Sequence, residues 1–228
     1  MLKYQLFASL NNPYNEHLFL FVHQFHYHNK GYHSKFFLFY SFVAIGQTDN
    51  IIIYGDSLSA GYGIEINQSW PALLQDKLKA NKYSHQVINS SISGETTEGG
   101  VARIERILDR YTPEIMVIEL GGNDGLRGFP VHLIKNNLEK MVQKCQDKNT
   151  SVILLGIKIP LNYGSRYTLE FEKMYQDVAV KYNIELIDFF MKDVALNKNL
   201  MQDDGIHPNE EAQPILLNNV WESIKKSI

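Results

Sequence analysis

Short apolar runs alternate with helical patterns from residue 51 onward, and this alternation constrains the fold more than any other feature. The runs are short and mostly aliphatic, as expected for buried strands, and they lie at 51–54, 86–88, 115–120, 152–155 and 184–187. Apolar residues at helical spacing predict helices over 68–80, 97–110, 131–147, 167–182 and 208–226, the last with Pro208 in its first turn. Strands that alternate with helices form a parallel sheet covered on both faces. We therefore predict a three-layer α/β/α sandwich around a central parallel sheet of about five strands.

The first fifty residues do not follow this alternation. The apolar run Phe36–Ile45 comes after Lys30 and Lys35 and is followed by Gly46. A basic segment, a short apolar segment and small residues, in that order, are typical of a secretory signal. At about ten residues, the run is too short for an ordinary transmembrane helix. A buried strand is the alternative interpretation of the same run.

These patterns divide the chain into three parts. We interpret residues 30–47 as a signal peptide and residues 50–228 as the folded domain. Residues 1–29 are an N-terminal extension to which we assign no function. The signal predicts a periplasmic or secreted protein without stable membrane insertion once the signal is removed.

The composition excludes several classes of function. The chain has 22 basic and 25 acidic residues, so it lacks the basic surplus of a nucleic-acid-binding protein. The one cysteine, Cys145, cannot form an intrachain disulfide and is predicted to be a buried structural thiol. The histidine-rich segment 23–28 contains no acidic residue or cysteine, so we do not assign a metal site to it.

Ser57 follows the first predicted strand, in the sequence Gly55-Asp56-Ser57. In open parallel sheets, ligands bind beyond the carboxyl ends of the strands. A serine there is exposed and lies near backbone N–H groups that can stabilise negative charge, but it needs a base to act as a nucleophile. The alternative is that Ser57 only caps a helix.

A base is available near the end of the chain. His207 follows Asp204 by three residues in a loop before the last predicted helix. This spacing allows the carboxylate to orient the imidazole, which completes a nucleophile, base and orienting acid. Asp203 is also close enough to be the orienting carboxylate, and His207 taken alone is equally typical of a surface loop.

Two further strand ends supply hydrogen-bond donors for a developing oxyanion. Gly94 has no side chain, so its backbone N–H can come close to a ligand. Asn123 can direct its amide group into the same site. Glycine and asparagine are also common turn residues, so neither is specific alone. The combination at four strand ends predicts acyl transfer.

These motifs resemble, in order, the four conserved blocks of the SGNH (GDSL) hydrolases. The blocks correspond to Gly55–Ser59, Gly94, Gly122-Asn123 and Asp204-x-x-His207. The longer segments 91–97, 119–128, 159–164 and 200–209 resemble the bacterial arylesterase branch, also described as acyl-CoA thioesterase I and lysophospholipase L1. The resemblance covers about residues 50–228.

The resemblance implies a role for each matching residue. Ser57 would be the nucleophile, His207 the base and Asp204 the orienting acid, while the oxyanion hole would consist of the Ser57 and Gly94 backbone N–H groups and the Asn123 side chain. It also implies a flavodoxin-like sandwich, no metal, no cofactor and a periplasmic or secreted location. The expected activity is hydrolysis of aryl esters, acyl-CoA thioesters and lysophospholipids.

The substrate pocket is predicted from apolar residues in two loops, 122–129 and 158–166. The candidates for an acyl groove are Leu126, Phe129, Ile159, Leu161 and Tyr163. Alternatively, they only pack their own loops. Leu161 stands where the resemblance leads us to expect a smaller residue or proline.

Other functions on the same scaffold remain as alternatives. They are a carbohydrate acetylesterase, a non-catalytic ligand-binding module and a secreted peptidase. The expected partner is a small acyl ester or thioester, and the expected assembly is a monomer.

Overall fold

The structure, a computed structural model, describes residues 21–23, 39–41 and 49–228. Strands β1 (Phe21–His23) and β2 (Phe39–Ser41) form an antiparallel pair. Most of the predicted signal peptide and N-terminal extension lies outside the described residues, so both assignments stay predictions. By internal contacts, the chain divides into compact units at Met1–Gln47 and Thr48–Ile228.

The second unit is built on a five-stranded sheet, as predicted. In spatial order its strands are β4 (Gln86–Asn89), β3 (Asn50–Gly55), β5 (Ile115–Glu119), β6 (Ser151–Leu155) and β7 (Glu185–Ile187). All neighbouring pairs are parallel. The central strands β3 and β5 are buried along their whole length, because helices cover both faces of the sheet.

Helices form the two outer layers. They are α1 (Ser57–Ala60), α2 (Trp70–Ala80), α3 (Thr97–Tyr111), α4 (Gly122–Leu126), α5 (Val131–Gln146), α6 (Ser165–Tyr182) and α7 (Gln213–Ser227). Short 3-10 helices lie at Ile66–Gln68, Leu161–Tyr163, Lys198–Leu200 and Glu210–Ala212. Helix α2 packs with α7, while α5 packs with α3 and α6, which confirms the three-layer architecture.

The last helix begins later than predicted, at Gln213 and not at Pro208. Pro208 forms an isolated antiparallel bridge with Met201. The Asn209 side chain then accepts a hydrogen bond from the Ala212 backbone and caps the intervening 3-10 helix. Pro214 takes the place in the first turn of α7 that the sequence suggested for Pro208.

Cys145 lies on α5 and is fully buried. Burial raises the pKa of its thiol to about 12, because the interior disfavours the thiolate. Cys145 is therefore unreactive near neutral pH and serves as a small apolar side chain.

Gly156, directly after β6, provides a test of backbone packing. A Cβ atom at this position would lie 2.4 Å from the Asp188 carbonyl oxygen. We expect Gly156→Ala to destabilise the protein by about 1–3 kcal/mol in urea unfolding, because backbone atoms must move to accept the methyl group. The control is Ser151→Ala, at an exposed position of the preceding strand β6, which should change stability by less than about 0.5 kcal/mol. Equal stability of the two variants would contradict the prediction.

Candidate active site

The turn after β3 presents Ser57 at the edge of the sheet. Ser57 is the first residue of α1, and the preceding Asp56 is the cap, since its side chain accepts a hydrogen bond from the Leu58 N–H at 3.0 Å. Asp56, and not Ser57, is therefore the residue that caps the helix. The turn is tight: a Cβ atom on Gly55 would lie 2.6 Å from a carboxyl oxygen of Glu119.

Ser57, His207 and Asp204 form a continuous hydrogen-bonded chain. His207 Nε2 lies 2.9 Å from Ser57 Oγ across 150 residues of sequence. His207 Nδ1 lies 2.7 Å from Asp204 Oδ2, so the structure brings Asp204 and not Asp203 to the ring. This is the order of nucleophile, base and orienting acid.

Asp204 is held as an anion by several donors. Its Oδ1 atom accepts hydrogen bonds from the backbone N–H groups of Ile206 at 2.8 Å and His207 at 3.0 Å. The hydrogen bond with the His207 ring, followed by these backbone bonds, lowers the pKa of Asp204 to about 2. Asp204 therefore stays ionised wherever an imidazole titrates, and it can stabilise the imidazolium formed during attack.

Two residues that the sequence did not single out support the histidine. The Tyr62 ring packs against the His207 ring, with the two ring centroids 4.4 Å apart. The Gln202 side chain donates to the Tyr62 carbonyl at 2.8 Å and to the Pro208 carbonyl at 3.0 Å. Gln202 thus joins the histidine loop to the turn after α1. Gln202 lies in the segment 200–209 that resembles the family, but neither role follows from the local sequence, because both residues act through contacts between distant loops.

Asn123 lies beside the nucleophile on the short helix α4. Its Nδ2 atom donates to Asp56 Oδ2 at 3.0 Å. An amide group has two N–H bonds, so one orients the side chain on Asp56 and the other, which has no partner among the described residues, can serve a ligand. Asp56 was not predicted as a site residue, although it directly precedes Ser57.

The Gly94 loop is fastened to the same turn. Ser91 Oγ accepts a hydrogen bond from the Gly55 N–H at 3.0 Å, and the Ile92 N–H donates to the Gly55 carbonyl at 3.0 Å. Gly94 is exposed and has a φ of 78°, in the left-handed region that favours glycine. The hydrogen bonds of Ser91 and Ile92 therefore attach the Gly94 loop to the end of β3, two residues before Ser57, and the part of Gly94 in the oxyanion hole stays a prediction.

Arg103 stabilises the loop that contains Gly94. Its Nε atom lies 2.6 Å from Glu95 Oε2, and Nη1 donates to the Ser90 carbonyl at 2.7 Å. The guanidinium also stacks over the Tyr54 ring at 4.0 Å. Glu95 and Arg103 thus fix both ends of the loop that contains Gly94, a role that only the packing reveals.

The five predicted substrate-binding residues differ in exposure. Ile159 is 5% exposed and belongs to the hydrophobic core, so it has little surface to offer a substrate. Leu126 is half-buried, whereas Phe129, Leu161 and Tyr163 are exposed. The Tyr163 hydroxyl donates to the Leu126 carbonyl at 2.9 Å, which joins the two loops. The assignment of these residues to an acyl groove stays a prediction.

Within the described residues, no group of three or more His, Cys, Asp or Glu side chains is arranged to hold a metal ion. The structure also contains, over the same residues, no helix of sufficient length and apolar character to cross a membrane.

The Asn123→Ala variant tests the oxyanion hole. Removal of one donor from such a site costs roughly 10²–10³ in kcat, because the hydrogen bond strengthens in the transition state. We expect a loss of that size with a native thermal unfolding transition, measured with p-nitrophenyl butyrate. Asn136→Ala, at an exposed position of α5, is the matched control. Near-normal kcat in Asn123→Ala would exclude this residue from the oxyanion hole.

Comparison with known proteins gives matches over most of the folded domain. The GDSL-like Lipase/Acylhydrolase family matches residues 53–214. An arylesterase of Vibrio mimicus is 42% identical over 84% of this chain and 96% of its own length. The thioesterase 1/protease 1/lysophospholipase L1 of Escherichia coli strain K12 is 43% identical over 74% of this chain and 79% of its own.

A solved structure is similar over the same region. The crystal structure of TesA superposes with a TM-score of 0.77 at 44% identity, covering 78% of this chain and 99% of that one. The region matched by the family, residues 53–214, includes Ser57, Asn123, Asp204 and His207. From its sequence, its fold and the geometry of this site, the chain belongs to the GDSL-like lipase/acylhydrolase family.

Proposed function

We propose that this protein is a serine hydrolase that cleaves carboxylic ester and thioester bonds through an acyl-enzyme on Ser57. The observation that carries the proposal is the continuous hydrogen-bonded chain from Ser57 through His207 to Asp204. Such a chain makes a serine hydroxyl nucleophilic, because the imidazole accepts its proton during attack.

The reaction follows from the positions of these groups. Ser57 Oγ attacks the carbonyl carbon of the substrate while His207 Nε2 takes its proton. The carbonyl oxygen becomes an oxyanion, which the Asn123 amide and the Ser57 and Gly94 backbone N–H groups stabilise. His207 then protonates the leaving alcohol or thiol. Water attacks the acyl-enzyme in the same way and releases the acid.

The names of the relatives support the substrate class. One relative is an arylesterase, and another is a thioesterase and lysophospholipase. The exposed Phe129, Leu161 and Tyr163 add apolar surface in the two loops predicted to bind an acyl chain. We therefore propose aryl esters, acyl-CoA and lysophospholipids as substrates.

A chain-length series tests this substrate class. The full chain is assayed with p-nitrophenyl esters from acetate to palmitate and with an acyl-CoA, and Leu161→Ser is compared with the wild type. We expect activity to rise from acetate towards medium or long chains, and Leu161→Ser to weaken that preference through KM. A sharp preference for acetate would instead favour a carbohydrate acetylesterase, and no turnover of any ester would leave a ligand-binding module.

We also propose that the protein is exported after cleavage near Gly46 or Gln47. The support is the basic, apolar and small-residue order of residues 30–47. Expression in a Gram-negative host, fractionation and mass spectrometry of the N-terminus test it. A periplasmic product beginning near residue 47 is expected, and a full-length cytoplasmic product would contradict the proposal.

We propose a metal-independent monomer, since the reaction above needs only side chains and backbone groups of one chain. Dialysis against EDTA should leave kcat unchanged, and size-exclusion chromatography with light scattering should give the mass of one chain. Loss of activity that a divalent metal restores would contradict the first expectation, and a dimer mass the second.

A further inference from the structure

Glu119 is a buried acid that the reaction does not use. It ends the otherwise apolar strand β5 and has no exposed surface. Its Oε2 atom accepts hydrogen bonds from the Ser59 hydroxyl at 2.8 Å and from the Asp56 backbone N–H at 3.3 Å. Trp70 Nε1 in turn donates to Ser59 Oγ at 3.3 Å. A charged residue type at this depth needs a physical explanation.

A second buried carboxyl, that of Asp56, lies next to Glu119: the Asp56 backbone N–H donates to Glu119 Oε2 at 3.3 Å, and each carboxyl group shifts the pKa of the other. Asp56 is 2% exposed, so neither group reaches bulk solvent. Two carboxylates in contact in the protein interior do not both ionise, because burial and mutual repulsion favour a shared proton. The pair must therefore carry about one negative charge at neutral pH.

The hydrogen-bond donors decide which member carries the charge. Asp56 Oδ1 accepts from the Leu58 N–H, and Asp56 Oδ2 accepts from the Asn123 amide. Glu119 Oε1, in contrast, is buried and receives no hydrogen bond from any described residue. Both donors to Glu119, the Ser59 hydroxyl and the Asp56 N–H, reach Oε2, so an ionised Glu119 would leave a charged oxygen buried without a donor. An ionised Asp56 has a donor on each oxygen, so Asp56 is the anion and Glu119 the acid.

The electrostatics of the neighbourhood agree with this assignment. Burial, followed by the negative charge of Asp56, raises the pKa of Glu119 well above its ordinary value. Burial raises the pKa of Asp56 to about 6, and its hydrogen bonds and nearby His207 oppose the increase. Tyr175 also lies close to the pair, and burial raises the pKa of its hydroxyl, so it stays neutral.

We propose that Glu119 is a positioning residue for the oxyanion hole: as a neutral acid it donates a hydrogen bond to the Asp56 carboxylate, which then holds the Asn123 amide. The inference rests on the proposed function, because it assumes that Asn123 stabilises the oxyanion. Without this proton, two adjacent carboxylates would repel each other. Asp56 would then lose the orientation in which it accepts from both Leu58 and Asn123.

Two variants of similar size separate the hydrogen bonds from simple packing. Glu119→Gln keeps an acceptor for Ser59 and a donor for Asp56, whereas Glu119→Met keeps only the volume. We expect Glu119→Gln to retain kcat within about fivefold. Glu119→Met should lose roughly 10- to 100-fold in kcat with little change in KM, because the oxyanion donor is misaligned but still present. Glu98→Gln, at an exposed position of α3, is the control.

A double-mutant cycle tests the route through Asn123. If Glu119 acts by orienting Asn123, Glu119→Met should cost little further activity in the Asn123→Ala background. Fully multiplicative losses, or a Glu119→Gln variant as impaired as Glu119→Met, would overturn the proposal. Loss of activity in Asn123→Ala without any effect of the Glu119 variants would overturn this inference alone and leave the proposed function intact.

Infrared spectroscopy at pH 7 tests the proton directly, and it needs only a folded Glu119→Gln protein. The difference spectrum between wild type and Glu119→Gln should contain the C=O stretch of one un-ionised carboxylic acid. A difference spectrum with carboxylate bands in its place would show that Glu119 is ionised and would overturn the proposal, even if Glu119→Met does not fold.

Discussion

Ser57→Ala should lower kcat for p-nitrophenyl esters by about 10⁴-fold or more, while the protein keeps its native unfolding transition. The variant removes the atom that forms the acyl-enzyme, and His207, 2.9 Å away, loses the proton it must accept. The remaining oxyanion donors can stabilise only direct attack by water. The loss should therefore be in kcat, and labelling by a fluorophosphonate probe should disappear.

Two comparisons make this prediction specific. Ser93→Ala changes an exposed serine in the loop that contains Gly94, and it should leave kcat and labelling close to wild type. The double variant Ser57→Ala with His207→Ala should be no slower than Ser57→Ala alone, because the two residues act as one unit. Residual labelling of Ser57→Ala at the wild-type rate would place the nucleophile elsewhere.

Asp204→Asn should lower kcat by about 10⁴-fold with no large change in size or shape. In the structure, Oδ1 accepts two backbone N–H groups and Oδ2 faces His207 Nδ1. An asparagine would keep its oxygen on the backbone donors and turn its NH₂ group towards Nδ1. The ring would then accept at Nδ1 and carry its proton on Nε2, the tautomer that cannot take a proton from Ser57.

The adjacent Asp203 provides the matched control for this substitution. Asp203 is exposed, and Asp204 is the carboxylate that reaches the histidine ring. Asp203→Asn should therefore change kcat by less than about twofold, the usual size for a surface substitution. If Asp203→Asn lost activity and Asp204→Asn kept it, the orienting carboxylate would be wrongly assigned.

The order of strands and helices was predictable because it depends on local patterns. A parallel strand with helices on both faces must be apolar throughout, and Ile51–Ile53 satisfies this within three residues. The amphipathic helices were equally clear, and α3 and α5 begin at the predicted residues. The short helix α4 was not predicted, because Gly122–Leu126 has no helical apolar period and is positioned by the turn at Gly121, with a φ of 116°.

The sequence by itself determined which residues stand at strand ends, and the family motifs gave their roles. Only the tertiary structure decided the contacts that join them. Asp203 and Asp204 are equivalent by spacing, and the fold of the 202–208 loop brings Asp204 to the ring. An apolar Ile159 fits both an acyl groove and the hydrophobic core, and the tertiary structure shows that it is buried.

Glu119 shows the same division most clearly. In the sequence, Glu119 is one acidic residue in an otherwise apolar strand, and this pattern indicates neither its protonation state nor its hydrogen-bond partner. The pairing with Asp56 comes from two parallel strands, β3 and β5, whose carboxyl ends lie side by side at Gly55 and Glu119. Local patterns determine secondary structure because they depend on neighbours in the chain. Hydrogen bonds, burial and protonation depend on residues that only folding brings together.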